Sequence, residues 1–399
     1  MQKPTTPFLN RAAGLALFAG FAFALSAQTP IDPSSISQNA FAWTPEEIVV
    51  GFQHYDEVFT ARDVPRGNHV HALPQGPPLA DFAEGGEKKD ALDTFLSEQK
   101  VGGLLVLQDG KIRLERYALG FGPGGRWTSQ SVAKSVASTL VGAAVQDGAI
   151  RSVDDLLTDY IPDLKGSAYD SVTVFQLLTM TTGVRWNESY TDPESDLFKY
   201  YTEPITPGMD QSASYMRRLP AEAAPGTKWV YKTGETHLLG DLVTEATGKT
   251  LADYLSEKIW VPYGMEQKAS WNVNRTGQEL AGCCLQMSLR DFGRFGQFVL
   301  DGGQIDGTPV VPGDWFAEAT KIQAHIGFGW GYGYQWWAFA NGTFRALGIH
   351  GQMIHIDPAM HTVIVILSAW PEAENESRRK AMDDMVGSIA MSLYYEENR

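Results

Sequence analysis

Segments with the character of β-strands occur near both ends of the chain and flank a long middle region with helical spacing. In the first part, the apolar residues 103–107 and the segment 111–117 are joined by Asp109-Gly110, a pair typical of a hairpin turn. Alternating and aromatic segments return at 330–340, 345–355 and 361–369. The pattern predicts an α+β fold in which one antiparallel sheet is assembled from both chain ends and flanked by helices.

The spacing of apolar residues divides the chain into a sheet part and an inserted helical part. We expect residues 86–150 and 301–399 to form the α/β sheet domain, and residues 151–300 to form an all-α domain. Residues 28–85 are rich in Pro, Gly and Asp and show little periodicity. They predict an irregular N-terminal arm with a short helix near 45–52.

Residues 1–27 have the features of a secretory signal peptide. Lys3 and Arg11 precede fourteen uncharged residues, 12–25, and small residues lie just before Gln28. Fourteen residues are too few to cross about 30 Å of hydrocarbon as a helix, although an uncleaved anchor is the alternative. Because Gln28 is not a cysteine, a lipid anchor is disfavoured. We expect a periplasmic or secreted protein without stable membrane insertion after signal removal.

The chain is acidic, and this bears on its partners. Asp and Glu number 47 against 32 Lys and Arg, which gives a formal net charge of −15 at pH 7. A surface of this sign repels phosphate backbones, so we expect no nucleic-acid partner.

Two cysteines occur in the sequence, Cys283 and Cys284, and they are adjacent. They are unable to join distant segments, so the fold must depend on its core rather than on a disulfide framework. We expect two buried thiols, with a vicinal disulfide as the alternative. No histidine lies near them in sequence, and we expect neither a metal site nor any cofactor.

The pattern Ser-x-x-Lys occurs three times, at 97–100, 131–134 and 377–380. The first and third copies have charged or polar residues between Ser and Lys and are typical of solvated helix faces. The second copy, Ser131-Val-Ala-Lys134, opens an apolar helix after a glycine-rich turn. A helix N-cap is the structural alternative for Ser131.

The spacing of Ser131 and Lys134 suits the activation of a nucleophile. Residues at i and i+3 share one helix face, so the amine of Lys134 can reach the Ser131 hydroxyl. Burial beside a positive helix N-terminus should lower the pKa of the lysine. A neutral amine can then deprotonate the serine, or an ammonium can hold a nearby tyrosine as phenolate. The candidate tyrosine is Tyr231, which lies between a Pro-Gly turn and an apolar helix.

Four motifs together resemble the serine hydrolases related to class C β-lactamases and penicillin-binding proteins. They are Ser131-Val-Ala-Lys134, Tyr231-Lys-Thr233, residues 177–183 and residues 348–352. Residues 186–193 and 281–296 most resemble nylon-oligomer (aminohexanoate-dimer) hydrolases and related esterases. The resemblance implies a β-lactamase/transpeptidase-like fold. It also implies that Ser131 is the acylated nucleophile, Lys134 the base and Tyr231 the proton carrier to the leaving group.

The third motif of such enzymes lies on an edge strand beside the serine and begins with Lys in β-lactamases and transpeptidases. Residues 347–352 contain neither Lys nor Arg, which disfavours both of those activities. The resemblance still implies an oxyanion hole made by the backbone N–H groups of Ser131 and Ile349. His350 packs beneath the site in this interpretation, and a structural histidine is the alternative.

The resemblance also implies substrate-binding residues. Tyr190 corresponds to a tyrosine that hydrogen-bonds the substrate amide in the nylon-oligomer enzymes. Trp186 is expected to line an apolar pocket together with three other tryptophans, Trp330, Trp336 and Trp337. The alternative for all four is a place in the core, where aromatic residues are common.

These observations favour an exported serine hydrolase that cleaves a small ester or amide through a Ser131 acyl-enzyme. A β-lactamase or D,D-peptidase is the nearest alternative. A catalytically silent relative that binds cell-wall fragments or a partner is the alternative from another class, and the intact trio Ser131, Lys134 and Tyr231 argues against it. The sequence leaves open the natural substrate and the oligomeric state.

Overall fold

Two antiparallel sheets join segments from distant parts of the chain in this computed structural model. The structure describes Met1 and residues 31–398. The segment predicted as a signal peptide therefore lies, apart from Met1, outside the described residues. From Asp32 onward the chain is one compact unit, so the predicted sheet and helical domains are two parts of one body.

Helices cover both faces of the larger sheet and fill the middle of the chain. The α-helices are α1 Pro45–Gln53, α2 Tyr55–Val58, α3 Lys89–Glu98, α4 Ala133–Gln146, α5 Val174–Leu178, α6 Asp196–Thr202, α7 Gln211–Met216, α8 Thr233–Thr247, α9 Leu251–Leu255, α10 Leu289–Leu300, α11 Trp315–Ala319 and α12 Glu376–Glu397. Short 3₁₀ helices cover Pro33–Ser35, Ala40–Ala42, Ala80–Phe82, Gln130–Val132, Leu157–Asp159 and Pro162–Leu164, and a π-helix covers Ser256–Gly264. Within the described residues, none of the helices has the length and apolar character needed to cross a membrane.

The strands belong to one large sheet, one small sheet and a two-stranded hairpin. They are β1 Ala61–Val64, β2 Val101–Gln108, β3 Lys111–Tyr117, β4 Trp127–Thr128, β5 Ala269–Asn272, β6 Leu285–Met287, β7 Gln304–Ile305, β8 Thr308–Pro309, β9 Ala324–Gly327, β10 Trp330–Tyr332, β11 Trp337–Phe339, β12 Phe344–Leu347, β13 Gln352–Asp357 and β14 Thr362–Ser368. The large sheet has the order β3-β2-β14-β13-β12-β11-β10-β9, and the small sheet has the order β1-β5-β6-β4.

The large sheet confirms the prediction of an antiparallel sheet built from both chain ends. Strand β2 pairs with β14 from Gln108 opposite Thr362 to Val101 opposite Ser368. Every residue of both strands is buried, because helices cover the two faces of the sheet. Strands covered on both faces are expected to be continuous apolar runs, as these two are.

Alternate residues of β2 enter different parts of the core, as the two-residue period of a strand requires. Leu104 and Val106 pack in one hydrophobic cluster with Leu92 of α3 and Ile389 of α12. Leu105 points to the opposite face, where Gly293 of α10 allows the helix to approach closely.

The region 151–300, predicted to be all-α, also contains strands β5 and β6. They have four and three residues, all of them buried. Segments this short show no periodicity that separates a strand from part of a buried helix. The small sheet that they form also includes β1 from the predicted N-terminal arm and β4, which leads into Ser131.

The expectation that the third motif lies on an edge strand is wrong. Strand β12, which precedes Gly348, lies in the interior of the large sheet, because β11, β10 and β9 add three further strands beyond it. Residues 348–350 form the turn between β12 and β13, and both strands contact the 3₁₀ helix that contains Ser131. The turn therefore lies beside the serine although no sheet edge is present there.

Close packing at Gly102 connects the large sheet to the segment before Ser131. A Cβ atom at Gly102 would lie 2.4 Å from a ring carbon of Trp127, which is fully buried. We expect Gly102→Ala to lower the free energy of unfolding by about 1–3 kcal/mol, the usual effect of overpacking. Equilibrium denaturation by urea measures this change.

The matched control is Gly387→Ala in α12, where an added Cβ would meet no atom within 4 Å. Alanine is the better helix former, so this variant should gain up to about 1 kcal/mol. Equal free energies of unfolding for the two variants would contradict the packing argument.

Candidate active site

Ser131 lies at the junction of the small sheet and helix α4. Strand β4 pairs with β6 and ends at Thr128, three residues before Ser131, which is in the 3₁₀ helix Gln130–Val132 at the start of α4. Gln130 has a φ of +44°, a left-handed conformation that non-glycine residues seldom adopt and that is common at functional sites. Ser131 is 8% exposed, so its hydroxyl lies in a recess.

The amine of Lys134 is surrounded by oxygen atoms from three chain segments. It donates hydrogen bonds to Ser131 Oγ at 3.1 Å, to Thr233 Oγ1 at 3.0 Å and to the Gly282 carbonyl at 2.7 Å. Burial lowers the pKa of Lys134 to about 8, while the negative charge of Glu188 opposes that shift. With this pKa, about a tenth of the amine is neutral at pH 7, a far larger share than an exposed lysine has.

Tyr231 lies with Ser131 and Lys134, as the sequence predicts. The Lys134 nitrogen is 5.1 Å from the centre of the Tyr231 ring, and the Tyr231 hydroxyl hydrogen-bonds the Ser131 side chain. Burial raises the pKa of Tyr231, and the charge of Glu188 raises it further. The phenol is thus protonated at neutral pH. Lys134 therefore loses its proton more easily than Tyr231 does, which favours the first of the two activation routes, in which the amine is the base.

Glu188 is the central residue that sequence reasoning missed. Its carboxylate accepts hydrogen bonds from the Thr233 N–H at 2.9 Å and from the Tyr190 hydroxyl at 2.9 Å. It also accepts from the Thr233 hydroxyl and from the Trp186 indole N–H. Glu188 is therefore connected to Lys134 through the single hydroxyl of Thr233. The signal available in the sequence was its position between Trp186 and Tyr190, inside one of the resemblance motifs.

Tyr190 and Trp186 both donate hydrogen bonds to Glu188. Burial raises the pKa of Tyr190 well above its usual value, and the nearby Glu188 and Tyr231 raise it further. Trp186 is 7% exposed and packs against Gly234 at the start of α8 and against the Tyr215 ring. Trp186 is thus a buried residue that holds the Glu188 carboxylate, which agrees with the core alternative rather than with the wall of an apolar pocket.

Ile349 and His350, in the turn after β12, differ in their hydrogen bonding. The N–H groups of Gly348 and Gly351 bond within the turn, while the Ile349 N–H has no hydrogen-bond acceptor among the described residues. His350 Nδ1 donates to the Trp370 carbonyl at 2.7 Å, and its ring contacts Phe52. Burial lowers the pKa of His350. The structural alternative therefore describes His350 better than substrate binding does.

The three other tryptophans of the predicted pocket separate into two groups. Trp336 is fully buried and packs against Phe295 and Phe344 in the core. Trp330 and Trp337 are partly exposed, and the Trp337 ring stacks on Tyr231 with a centroid distance of 5.8 Å. Trp337 therefore borders the space beside the candidate nucleophile, and Trp330 packs against Trp337.

A buried ion pair connects two of the resemblance motifs. Lys232 is fully buried beside Tyr231, and its amine contacts Glu235 Oε1 at 3.2 Å and Thr182 Oγ1 at 2.9 Å. Tyr169 donates a further hydrogen bond to Glu235 at 3.3 Å. Lys232 therefore points away from the serine and fastens the start of α8 to the segment 177–183.

The expectation of two free thiols is wrong, because Cys283 and Cys284 form a vicinal disulfide. Cys284 has a φ of +69°, so the chain turns sharply instead of continuing as a strand. Adjacent side chains point to opposite faces of an extended strand, whereas this turn brings the two sulfurs to the same side. The disulfide directly follows Gly282, whose carbonyl accepts a hydrogen bond from Lys134.

The effect of Glu188 on the pKa of Lys134 is open to a direct test. Because the charge of Glu188 raises the pKa of Lys134, Glu188→Gln should move the titration midpoint of the amine below the value of about 8. NMR titration of ¹³C-labelled lysine side chains measures the midpoint, with the Lys134 signal assigned by its loss in Lys134→Ala.

Glu374→Gln is the matched control, because Glu374 interacts with Glu188 and Arg379 and does not act on Lys134. Its Lys134 midpoint should equal that of the unmodified protein. Identical midpoints in all three proteins would contradict the electrostatic role of Glu188.

This chain matches a known protein family over most of its length. The Beta-lactamase family model matches residues 89–386. The 6-aminohexanoate-dimer hydrolase of Paenarthrobacter ureafaciens is 31% identical over 308 residues, which cover 71% of this chain and 76% of that protein.

Solved structures confirm the expected β-lactamase/transpeptidase-like fold. A Bacillus anthracis structure provisionally assigned as a 6-aminohexanoate-dimer hydrolase superposes with a TM-score of 0.77 at 26% identity, covering 88% of this chain and 95% of that one. A family VIII carboxylesterase superposes with a TM-score of 0.59 at 16% identity, covering 80% and 99%. The chain belongs to the β-lactamase family, the fold family of serine hydrolases that includes aminohexanoate-dimer hydrolases and carboxylesterases.

Proposed function

We propose that this protein is an exported serine hydrolase that cleaves a small ester or linear amide through an acyl-enzyme on Ser131. The observation that carries the proposal is the buried amine of Lys134, which lies 3.1 Å from Ser131 Oγ and has a pKa lowered to about 8. A serine hydroxyl is a weak nucleophile until an adjacent base takes its proton. The contacts of Lys134 supply such a base.

The first step forms the acyl-enzyme. The neutral amine of Lys134 accepts the Ser131 proton as Oγ attacks the substrate carbonyl carbon, and the carbonyl oxygen takes the negative charge. The N–H groups of Ser131 and Ile349 stabilise this oxyanion, and each such donor often contributes about 2.7–4 kcal/mol. The free N–H of Ile349 beside the serine supports this assignment.

Tyr231 is proposed to move the proton to the leaving group. Its phenol hydrogen-bonds Ser131, and its raised pKa keeps it protonated until the leaving nitrogen or oxygen develops charge. The bond between the carbonyl carbon and the leaving atom breaks as Tyr231 protonates that atom, and the Lys134 ammonium then returns a proton to Tyr231, so that Lys134 is neutral again. Water next loses a proton to the amine as it attacks the acyl carbon, the bond to Ser131 Oγ breaks, and Ser131 regains its proton as the acid product leaves.

A linear amide or an ester fits the proposal better than an anionic ring drug. The relative named for hydrolysis of the 6-aminohexanoate dimer supports a small linear amide. The carboxylates of Glu188 and Glu374 both lie near Tyr231, where they disfavour an anionic substrate.

A β-lactamase or D,D-peptidase is the second candidate, and one observation favours it. Arg379 of α12 reaches the third-motif turn and donates to the Gly348 carbonyl at 3.4 Å. This guanidinium lies over the Trp370 ring and supplies a positive charge that the turn itself lacks. A substrate carboxylate could use it in place of the missing lysine.

Export belongs to the same proposal and depends on the sequence alone. Residues 1–27 combine a basic start, a short apolar segment and small residues before Gln28. That combination is typical of a cleaved secretory signal.

The central test is Ser131→Ala in a hydrolysis panel of short-chain nitrophenyl esters, a linear aminohexanoate dimer and a cephalosporin. We expect turnover to fall by at least about three orders of magnitude and labelling by a serine-directed phosphonate to disappear. Ser97→Ala is the matched control, because Ser97 is exposed in another Ser-x-x-Lys copy. Persisting turnover in Ser131→Ala would defeat the assignment, and preferred cleavage of the cephalosporin would favour the second candidate.

The role of Tyr231 is tested by Tyr231→Phe, measured as kcat/KM on the amide and on a nitrophenyl ester. Protonation of the leaving group contributes about 10²–10⁴-fold in general acid catalysis. Amide hydrolysis should lose an amount of this order, whereas the ester, whose leaving group needs little protonation, should lose much less. Equal losses on both substrates would show that Tyr231 is not the proton donor.

A further inference from the structure

Helix α1 of the N-terminal arm packs beside the two segments that carry the proposed oxyanion donors. The ring of Phe52, in α1, contacts the ring of His350 at a centroid distance of 5.3 Å and that of Trp127 at 6.3 Å. His350 directly follows Ile349, and Trp127 is in strand β4, which leads into Ser131. The arm is therefore in contact with both parts of the proposed oxyanion hole.

Aromatic packing and an ion pair hold helix α2 of the arm in place. The buried ring of Tyr55, at the start of α2, lies 5.5 Å from the Trp43 ring and 4.7 Å from the Phe59 ring, measured between centroids. The next residue, Asp56, forms an ion pair with Arg126, which directly precedes β4. Tyr55 thus has a defined position relative to the segment that leads into the candidate nucleophile.

Tyr55 contacts the residue that directly precedes Ser131. The side-chain amide of Gln130 donates a hydrogen bond to the Tyr55 hydroxyl. Gln130 also packs against the third-motif turn, since a Cβ atom added to Gly348 would lie 3.0 Å from the Gln130 Cβ. Burial raises the pKa of Tyr55 above its usual range, so its phenol is neutral at neutral pH and adds no negative charge near the oxyanion.

The backbone of Gln130 is in a conformation that needs support from its surroundings. Its φ of +44° is unfavourable for a residue with a Cβ atom, and such conformations persist only where neighbouring contacts hold them. The peptide bond between Gln130 and Ser131 is planar, so the direction of the Ser131 N–H depends on the backbone torsions of Gln130. Relaxation of Gln130 to a negative φ would therefore change the direction of this N–H.

We propose that Tyr55 is a positioning residue for the Ser131 N–H in the acylation of Ser131. Tyr55 holds the Gln130 side chain and thereby keeps the Gln130 backbone left-handed, which directs the Ser131 N–H toward the substrate carbonyl oxygen. Tyr55 acts through Gln130 and not on the substrate. The inference rests on the proposed function, because this N–H has such a task only if Ser131 is acylated.

The first test is Tyr55→Phe, which removes the hydroxyl and keeps the ring. Removal of an oxyanion donor lowers kcat by about 10²–10³-fold, so a donor that is present but misdirected should lower it by about 10–100-fold. Because the donor acts mainly in the transition state, KM for a short-chain nitrophenyl ester should change by less than about twofold. An unchanged kcat would overturn the proposal.

Tyr254→Phe is the matched control, because it also removes a hydrogen-bonded hydroxyl from a buried tyrosine. Tyr254 of α9 donates to Asp147 at 2.8 Å, and Asp147 follows the end of α4 that is opposite to Ser131. Its kcat should equal that of the unmodified protein. Thermal unfolding of both variants establishes that they are folded at the assay temperature. Equal losses of kcat in the two variants would overturn the proposal in favour of a general effect on stability.

Substitutions of Gln130 test the route by which Tyr55 acts. Gln130→Ala and Gln130→Gly both remove the amide that contacts Tyr55, but glycine adopts a positive φ without the steric cost of a Cβ atom. We therefore expect kcat of Gln130→Gly to exceed that of Gln130→Ala by about 5–30-fold. Adding Tyr55→Phe to Gln130→Gly should cause no further loss. A higher kcat for the alanine variant, or a further loss in the double variant, would overturn the proposal.

A second readout, the backbone amide NMR signal of Ser131, does not depend on turnover. This signal is assigned by its loss in Ser131→Ala, and it should shift in Tyr55→Phe and stay in place in Tyr254→Phe. An unshifted signal in Tyr55→Phe would overturn the positioning role. Absence of ester hydrolysis by the unmodified protein would instead contradict the proposed function, so the two failures are distinguishable.

Discussion

The structure around the candidate site depends on one buried amine. Lys134 donates hydrogen bonds to Ser131, Thr233 and Gly282, which belong to three segments that are distant in sequence. These bonds align the start of α4, the start of α8 and the loop before β6 around a single nitrogen. A buried ammonium is expensive without a paired charge, and losing its proton removes much of that cost. The lowered pKa of Lys134 thus follows from the same burial that assembles the site.

The placement of Glu188 keeps this amine usable as a base. A carboxylate in direct contact would form an ion pair that holds the lysine charged. Glu188 instead binds the hydroxyl and N–H of Thr233, so one side chain separates the carboxylate from the amine. Coulomb energy falls with distance, and the remaining attraction moderates the effect of burial without cancelling it. The Thr233 hydroxyl accepts a hydrogen bond from Lys134 and donates one to Glu188, and these two bonds fix the orientation of the hydroxyl.

The sequence predicted the features that depend on local spacing or on long apolar runs. The antiparallel sheet built from both chain ends was predicted from strand-like segments near each end, and the contact of Lys134 with Ser131 was predicted from their i, i+3 spacing. It did not identify Glu188, since an acid between two aromatics has no periodic pattern. The disulfide between Cys283 and Cys284 and the hydrogen bond from Trp186 to Glu188 also depend on the three-dimensional structure. Each depends on a turn or on the packing of α8, which single-residue patterns do not encode.

Two buried lysines within this site show how partners decide the role of a side chain. Lys232 and Lys134 are both at most 1% exposed, and both bond to a threonine hydroxyl. Lys232 also contacts Glu235 at 3.2 Å, so its charge has a partner and it serves to join α8 to the segment 177–183. Among the described residues, Lys134 has no carboxylate within ion-pair distance and contacts neutral oxygens alone. The same side chain therefore joins two segments through an ion pair at one position and is the candidate base at the other, and the difference arises from a single carboxylate.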